Sequence, residues 1–324
     1  MVAAALRRRI PQHQEQSEFE ADVLNGLHAT PKHIPAKYFY DAVGSDLFER
    51  ITEVPEYYPT RCEMSTLRRH SADIAKLIPA GAALVEFGSG SSKKARIVLS
   101  AAPKLAAYVP VDICGEMIER EAAELRVDFP ELKVLPVTAD ICKPFALPAE
   151  AKAAPARVGF FPGSTIGNFE PHEAAEFLRN AANILGEGAT LIVGVDLIKP
   201  AEVLNAAYND AEGVTAKFNL NLLARINREL DADFVLEQFT HQARFNRETG
   251  SIEMHLRSTE DQIVSIPRAE ISVHFRKNET IWTETSHKYS LEEVGSMAED
   301  AGFRCDAQWA DREWTFAENL LIAE

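Results

Sequence analysis

Residues 82–100, AALVEFGSGSSKKARIVLS, set an unbroken apolar-rich run against a glycine-rich turn and then a helix-forming stretch. A short buried strand, a tight turn and a helix in that order form the opening unit of an α/β fold. Gly88 and Gly90 can adopt backbone angles closed to other residues and let a ligand approach the main chain. The helix that follows begins with unpaired amides. Position 93 is lysine, so there is no Gly-x-Gly-x-x-Gly, and no Walker sequence is present. A pyrophosphate cradle is therefore unsupported. Taken alone, the turn also fits a purely structural role.

Outward from this turn the pattern repeats. Apolar strands are predicted at 107–112 (AYVPVD), 133–138, 157–161 and 190–195, with helices at 62–77, 115–129 and 171–185. Strands alternating with helices predict a mostly parallel sheet covered on both faces. Asp112 closes the second strand, 22 residues beyond Gly90, where a carboxylate can accept both ribose hydroxyls. Asp140 closes the third and is placed to accept from an adenine amino group. Each aspartate alone also fits a helix cap or a solvated loop. Together they line the carboxyl edge of the sheet, the usual ligand crevice of open α/β folds. An adenosine cofactor without phosphate, such as S-adenosylmethionine, fits these contacts better than a nucleotide; a nicotinamide dinucleotide is the alternative. The fourth strand runs into FFPGSTIGNFEPHEA (160–174), in which Asn168 can donate to a carboxylate and accept from an amine. Glu170 or Pro171 starts the next helix.

Elsewhere the pattern differs. Residues 12–27 and 45–51 read as helices, and 201–210 and 214–230 as two more. Strand-like alternation dominates 234–281, with turns too closely spaced for crossover helices, so antiparallel pairing is expected. A helix at 291–302 and a last strand at 313–322 follow, and the alanine-rich 148–156 reads as a loop. Tyr38, Phe39, Tyr40, Tyr57 and Tyr58 are expected in the core, or lining a pocket with their hydroxyls. The division that results is a cofactor domain of 61–198 plus 289–324, and a substrate domain of 1–60 plus 199–288.

A net charge of −15 argues against nucleic-acid binding and leaves room for a small zwitterionic ligand, or simply for solubility. Four cysteines (62, 114, 142 and 305), widely spread, suit a reducing compartment. Nothing reads as a transmembrane span, and MVAAALRRRI (1–10) lacks the apolar core of a signal peptide, so a cytoplasmic enzyme without a membrane or an obligate protein partner is expected. The histidines form no metal-ligand pattern, and Asp196, Asp210 and Asp231 read as surface carboxylates. The Gly-x-Ser-x-Gly nucleophile elbow is missing.

Six segments together resemble the histidine-specific α-amine methyltransferases of ergothioneine biosynthesis: KYFYDAVGSDLFERITEVPEYYPTR (37–61), LVEFGSGSSKK (84–94), FFPGSTIGNFEP (160–171), AYNDAEGVTAKFNLNLL (207–223), IEMHLRS (252–258) and WTETSHKYS (282–290). The resemblance implies a Rossmann-like class I methyltransferase domain and a second α+β substrate domain built from the N-terminal segment and an insertion. It implies S-adenosylmethionine as cofactor, with Gly88, Asp112, Asp140 and Tyr40 as its contacts, and L-histidine as substrate. Asn168 and Tyr208 match the residues that hold the amino-acid group; Tyr57, Glu284 and Ser286 those around the imidazole; Met254 a side chain lining the same pocket. Thr285 and His287 flank the serine, and Ser91-Ser92-Lys93 follow the glycine turn, as departures that remove no polar group. Related enzymes act on tryptophan derivatives, and a binding protein that keeps the fold without the activity is a further alternative. No residue stands out as a dedicated base, so the amine is expected to arrive deprotonated or to lose its proton through water.

Overall fold

The computed structural model describes residues 12–102, 104–186, 188–311 and 315–324. Segment 1–10, and Glu313 and Trp314 of the expected last strand, lie outside the described residues. The chain opens with α1 (Gln12–His28), β1 (Lys32–His33), α2 (Ala42–Ile51) and α3 (Tyr58–Leu77). The alternating stretch contains β2 (Ala83–Phe87), α4 (Lys93–Ala101), β3 (Ala107–Asp112), α5 (Gly115–Asp128), β4 (Lys133–Val134) and β5 (Val137–Thr138). It continues through α6 (Ala149–Lys152), β6 (Arg157–Phe161), α7 (Pro171–Leu185) and β7 (Thr190–Asp196). Next come α8 (Ala201–Ala207), α9 (Val214–Leu230), β8 (Phe239–Asn246), β9 (Ser251–Ser258), β10 (Gln262–Ile266), β11 (Ile271–Phe275) and β12 (Thr280–His287). The chain closes on α10 (Leu291–Asp300), β13 (Phe303–Ala310) and β14 (Phe316–Ala323).

Two compact units result. The larger comprises Tyr40–Thr215, Ala243–Glu253 and Thr285–Glu324. Its eight-stranded sheet runs β13-β14-β7-β6-β2-β3-β4, with β5 also on β3. The β2, β3, β4, β5, β6 and β7 pairings are parallel, and β14 is antiparallel to both β7 and β13. This is the Rossmann-like class I methyltransferase architecture that the resemblance implies. From β2 the chain builds outward to β3 and later returns to β6 on the opposite side. That reversal opens the ligand crevice at the carboxyl ends of β2 and β6. Alternation along the strands fills both faces: Val85, Phe87, Val109 and Phe161 pack with Phe177 and Leu178 of α7 and Val294 of α10. On the other face Leu84, Tyr108 and Phe160 pack with Leu67 of α3, Val98 of α4 and Leu125 of α5.

The structure differs from these expectations at three places. The expected strand 133–138 is broken at Leu135-Pro136, because proline has no N–H for the ladder. The Leu135 and Ala139 amides still reach the Tyr108 and Asp112 carbonyls, at 2.9 and 3.0 Å. The short α6 lies inside the expected loop 148–156. The unexpected β13 is an edge strand whose sequence, FRCDAQWA, carries the period-2 alternation of a half-buried strand, although it is absent from the expected elements.

The smaller unit comprises the chain to Phe39, Ala216–Gln242 and Met254–Glu284. Of the four-stranded order β1-β12-β9-β8, β1 falls wholly in this unit and β12, β9 and β8 in part, and β10 and β11 form an antiparallel hairpin within it. Phe39 stacks on Phe218 of α9 with centroids 4.5 Å apart, and Phe239 meets Phe275 edge-on at 5.4 Å. Arg225 of α9 lies over the Phe19 ring and donates to the Tyr38 carbonyl at 2.9 Å. These contacts tie the N-terminal segment to the later one. The division differs from the expected one: 40–60, 199–215, 243–253 and 285–288 group with the Rossmann-like sheet. Among the described residues no helix is long and apolar enough to cross a membrane.

Candidate active site

The turn after β2 is held from below by β3. Gly88 and Gly90 have φ of +67° and +46°, which favours glycine at both positions. The Gly90 amide donates to one Asp112 carboxylate oxygen at 2.9 Å, and the Cys114 amide to the other at 2.9 Å. Burial raises the Asp112 pKa above its ordinary value, while these amides pull the other way. Each oxygen keeps a further lone pair for a bound hydroxyl. A Cβ built on Gly90 would meet nothing within 4 Å, so the space beside this glycine is open. The buried Ser89 hydroxyl has no partner among the described residues. Asp140 sits in the next turn, where its carboxylate accepts from the Cys142 amide at 2.9 Å, and Ile141 lies against Gly88. This open turn, with anchored carboxylates beside it and an orphaned hydroxyl, fits an adenosine cofactor.

The turn after β6 forms the other lip. Ser164 is left-handed (φ 57°), and a 3-10 turn over Thr165–Asn168 leads to α7, whose capping box joins Glu170 and Glu173 with Pro171 at the helix start. Asn168 is half-buried at the end of that turn. Glu63 of α3, fully buried, accepts from the Gly163 amide at 2.6 Å and pairs with Lys94 at 2.5 Å. The two lips are therefore tied through one carboxylate, a link that a lone glutamate in a helix does not signal in sequence.

Four aromatic rings run in file across the larger unit. Tyr40 meets Phe48 at 5.7 Å, Phe48 meets Tyr57 at 6.2 Å, and Tyr57 meets Tyr208 at 6.1 Å, all edge-on. Beyond them the Tyr208 hydroxyl donates to Ser286 Oγ at 3.0 Å. A Cβ on Gly167 would lie 3.5 Å from that same oxygen, so the Asn168 turn abuts the end of β12. The structure thus brings Tyr40, Tyr57, Tyr208, Ser286 and the Asn168 turn together.

Beneath them lies a buried ionic cluster. Lys288 donates to Ser286 Oγ at 2.8 Å and to the Tyr208 hydroxyl oxygen at 3.0 Å, and pairs with Asp196 at 3.1 Å. Asp196 also pairs with Lys199 and accepts from the Tyr58 hydroxyl at 2.6 Å. Burial and the Asp196 charge hold Tyr58 far above the usual phenol range, so it is a neutral donor. Burial lowers the Lys199 pKa, with Asp196 opposing. The expectation of surface carboxylates fails for two of three residues. Asp196 is 0% exposed, because two ammoniums and a phenol compensate it there. Asp210 is buried at the start of α9, accepting from the Val214 and Thr215 amides at 2.8 Å each. Burial pushes its carboxyl up, but these amides hold it below the ordinary value. Asp231 is exposed.

In the smaller unit, Met254 is buried on β9 and its carbonyl accepts from the Thr283 hydroxyl at 3.0 Å. Glu284 is half-buried on β12, two residues before Ser286, so the two side chains leave the strand on the same side. Among the described residues no group of three or more His, Cys, Asp and Glu side chains is placed to hold a metal ion.

With this geometry in place, similarity to known proteins is specific. A family model described as histidine-specific methyltransferase, SAM-dependent, matches residues 19–323. The chain is 42% identical over 306 residues to the histidine N-alpha-methyltransferase of Mycolicibacterium smegmatis, covering 93% of this chain and 94% of that protein. It is 40% identical over 302 residues to the protein of the same name from Mycobacterium tuberculosis, covering 92% and 93%. With ergothioneine biosynthesis protein 1 of Neurospora crassa it shares 31% over 288 residues, which is 86% of this chain and 32% of that protein. The chain belongs to the family of histidine-specific, S-adenosylmethionine-dependent methyltransferases.

Proposed function

We propose that this chain transfers three methyl groups in succession to the α-amine of L-histidine, giving the betaine hercynine for ergothioneine biosynthesis, and that it works in the cytoplasm with no obligate protein partner. The observation that carries this reading is the clustering of Tyr57, Tyr208, Ser286 and the Asn168 turn at the carboxyl end of β6, across the β2/β6 reversal from the glycine turn. Polar groups for an amino acid and an adenosine-binding turn thus flank one crevice of the same sheet.

S-adenosylmethionine, when bound, supplies a sulfonium methyl that needs no further activation. The chain's part is alignment and exclusion of water. Asp112 and Asp140 hold the adenosine, and Tyr40 sits at the methionine end. Asn168 and Tyr208 grip the amino-acid group; Glu284 and Ser286, with Tyr57 and Met254, address the imidazole. In each transfer the neutral amine forms an N–C bond as the methyl–sulfur bond breaks, its electron pair going to sulfur. One proton leaves per transfer, so the ammonium of histidine ends as a trimethylammonium with three protons released. Purified protein given limiting histidine should release three equivalents of S-adenosylhomocysteine. Release that is independent of histidine, or stimulated by tryptophan alone, would overturn the substrate while leaving the methyltransferase class.

A further inference from the structure

Lys288 has no part in the roles above, yet it is among the most enclosed charges in the larger unit. Its side chain is 1% exposed, and its three ammonium hydrogens meet three acceptors: Ser286 Oγ, the Tyr208 hydroxyl oxygen and Asp196. Two consequences follow. A hydroxyl oxygen has two lone pairs and one hydrogen; Ser286 Oγ accepts from both Lys288 and Tyr208, while the Tyr208 oxygen accepts from Lys288 alone. In the structure Tyr208 gives its hydrogen to Ser286, which leaves the Ser286 hydrogen over. Charge is the second. Asp196 faces both Lys288 and Lys199, so a single carboxylate is shared by two buried ammoniums. The phenol of Tyr58, the fourth member, is neutral. The cluster therefore carries one positive charge in excess, in a setting where an uncompensated charge is costly.

We infer that Lys288 is a positioning residue for the carboxylate of the amino-acid substrate: its charge, relayed through the Tyr208 hydroxyl that accepts from it, favours a bound anion, to which that hydroxyl turns its hydrogen from Ser286. This rests on the proposed histidine site and extends it, since the carboxylate would supply the negative charge that the cluster lacks. The predicted selectivity is for amino acids over the corresponding amines. Histidine and histamine share ring and amine and differ only in the carboxylate.

The test is calorimetric titration of both ligands, in the presence of S-adenosylhomocysteine, into the parent, Lys288→Met, Lys288→Gln and Lys288→Arg. The parent should prefer histidine. In Lys288→Met, histidine should weaken by about tenfold or more while histamine changes by less than about threefold, so the preference collapses. Lys288→Gln keeps hydrogen-bond donors without the charge and should lose the preference too; it decides the matter if the methionine variant does not fold. Lys288→Arg keeps the charge and should retain most of the preference. Equal weakening of the two ligands, or an unchanged preference in both neutral variants, would overturn the inference. A parent that binds neither ligand would instead remove the histidine reading of the site.

Discussion

The Asp112 carboxylate accepts the Gly90 amide at 2.9 Å, joining the end of β3 to the turn after β2. The same side chain therefore shapes the turn and faces the space above it. Asp112→Asn would set an amide N–H₂ against one of the two backbone donors now bound to the carboxylate. It would also remove the charge expected on the ribose. Hydrogen bonds to charged groups contribute about 1.5–3 kcal/mol, so S-adenosylhomocysteine affinity should fall by about tenfold or more. Calorimetry showing parent-like affinity would remove Asp112 from the cofactor site.

Asp196 holds two ammoniums and a phenol in a dry cluster. Asp196→Asn leaves both lysines without their carboxylate and should cost about 3–5 kcal/mol of folding stability. Tyr58→Phe removes one hydrogen bond and should cost about 1–3 kcal/mol, because it strips a buried acceptor of one partner. Urea midpoints in that order support the cluster. A near-neutral Asp196→Asn would mean that the charges are compensated in some other way.

Glu86 lies fully buried on β2 with Tyr108 donating to it, and burial pushes its pKa from 4.5 up to about 8. The folded chain thus keeps this proton where the unfolded chain has lost it. Its contribution to stability is complete below pH 4.5 and is lost progressively as pH rises to about 8. Glu86→Gln keeps a neutral side chain at every pH. Its stability relative to the parent should rise across that window, by up to about 3–5 kcal/mol. Urea titrations at several pH values should show the gap widening; a constant gap would contradict a protonated Glu86.

Glu284 and Ser286 share one side of β12. In the proposed reading Glu284 accepts from one imidazole N–H and Ser286 addresses the other nitrogen. Truncating one partner of a buried charged hydrogen bond costs about 2–5 kcal/mol. Glu284→Ala should accordingly weaken histidine binding by tens-fold or more, with S-adenosylhomocysteine affinity little changed. Equal histidine affinity in variant and parent would refute the role.

Much of the fold is legible in the sequence because buried parallel strands such as AALVEF and AYVPVD are continuous apolar runs, and because Pro171 opens its helix with a plain start signal. The edge strand β13 is legible too, by the alternation FRCDAQWA, although it is absent from the expected elements. Of the site, the glycine turn and the aspartates at strand ends follow from the α/β pattern, while Tyr208, Glu284 and Ser286 emerge only through the resemblance. Lys288, Asp196 and Glu63 stay hidden. Each is charged, which predicts exposure, and each is buried only because partners up to 138 residues away in sequence converge on it, as Tyr58 does on Asp196.

The central claim is the destination of the methyl groups, and histidine labelled with ¹⁵N at the α-nitrogen tests it most directly. After incubation with excess S-adenosylmethionine, heteronuclear correlation should connect nine equivalent methyl protons to the labelled nitrogen, with mono- and dimethyl species preceding them. Methyl signals coupled to the imidazole nitrogens, or an α-amine left unmethylated while S-adenosylmethionine is consumed, would contradict the account.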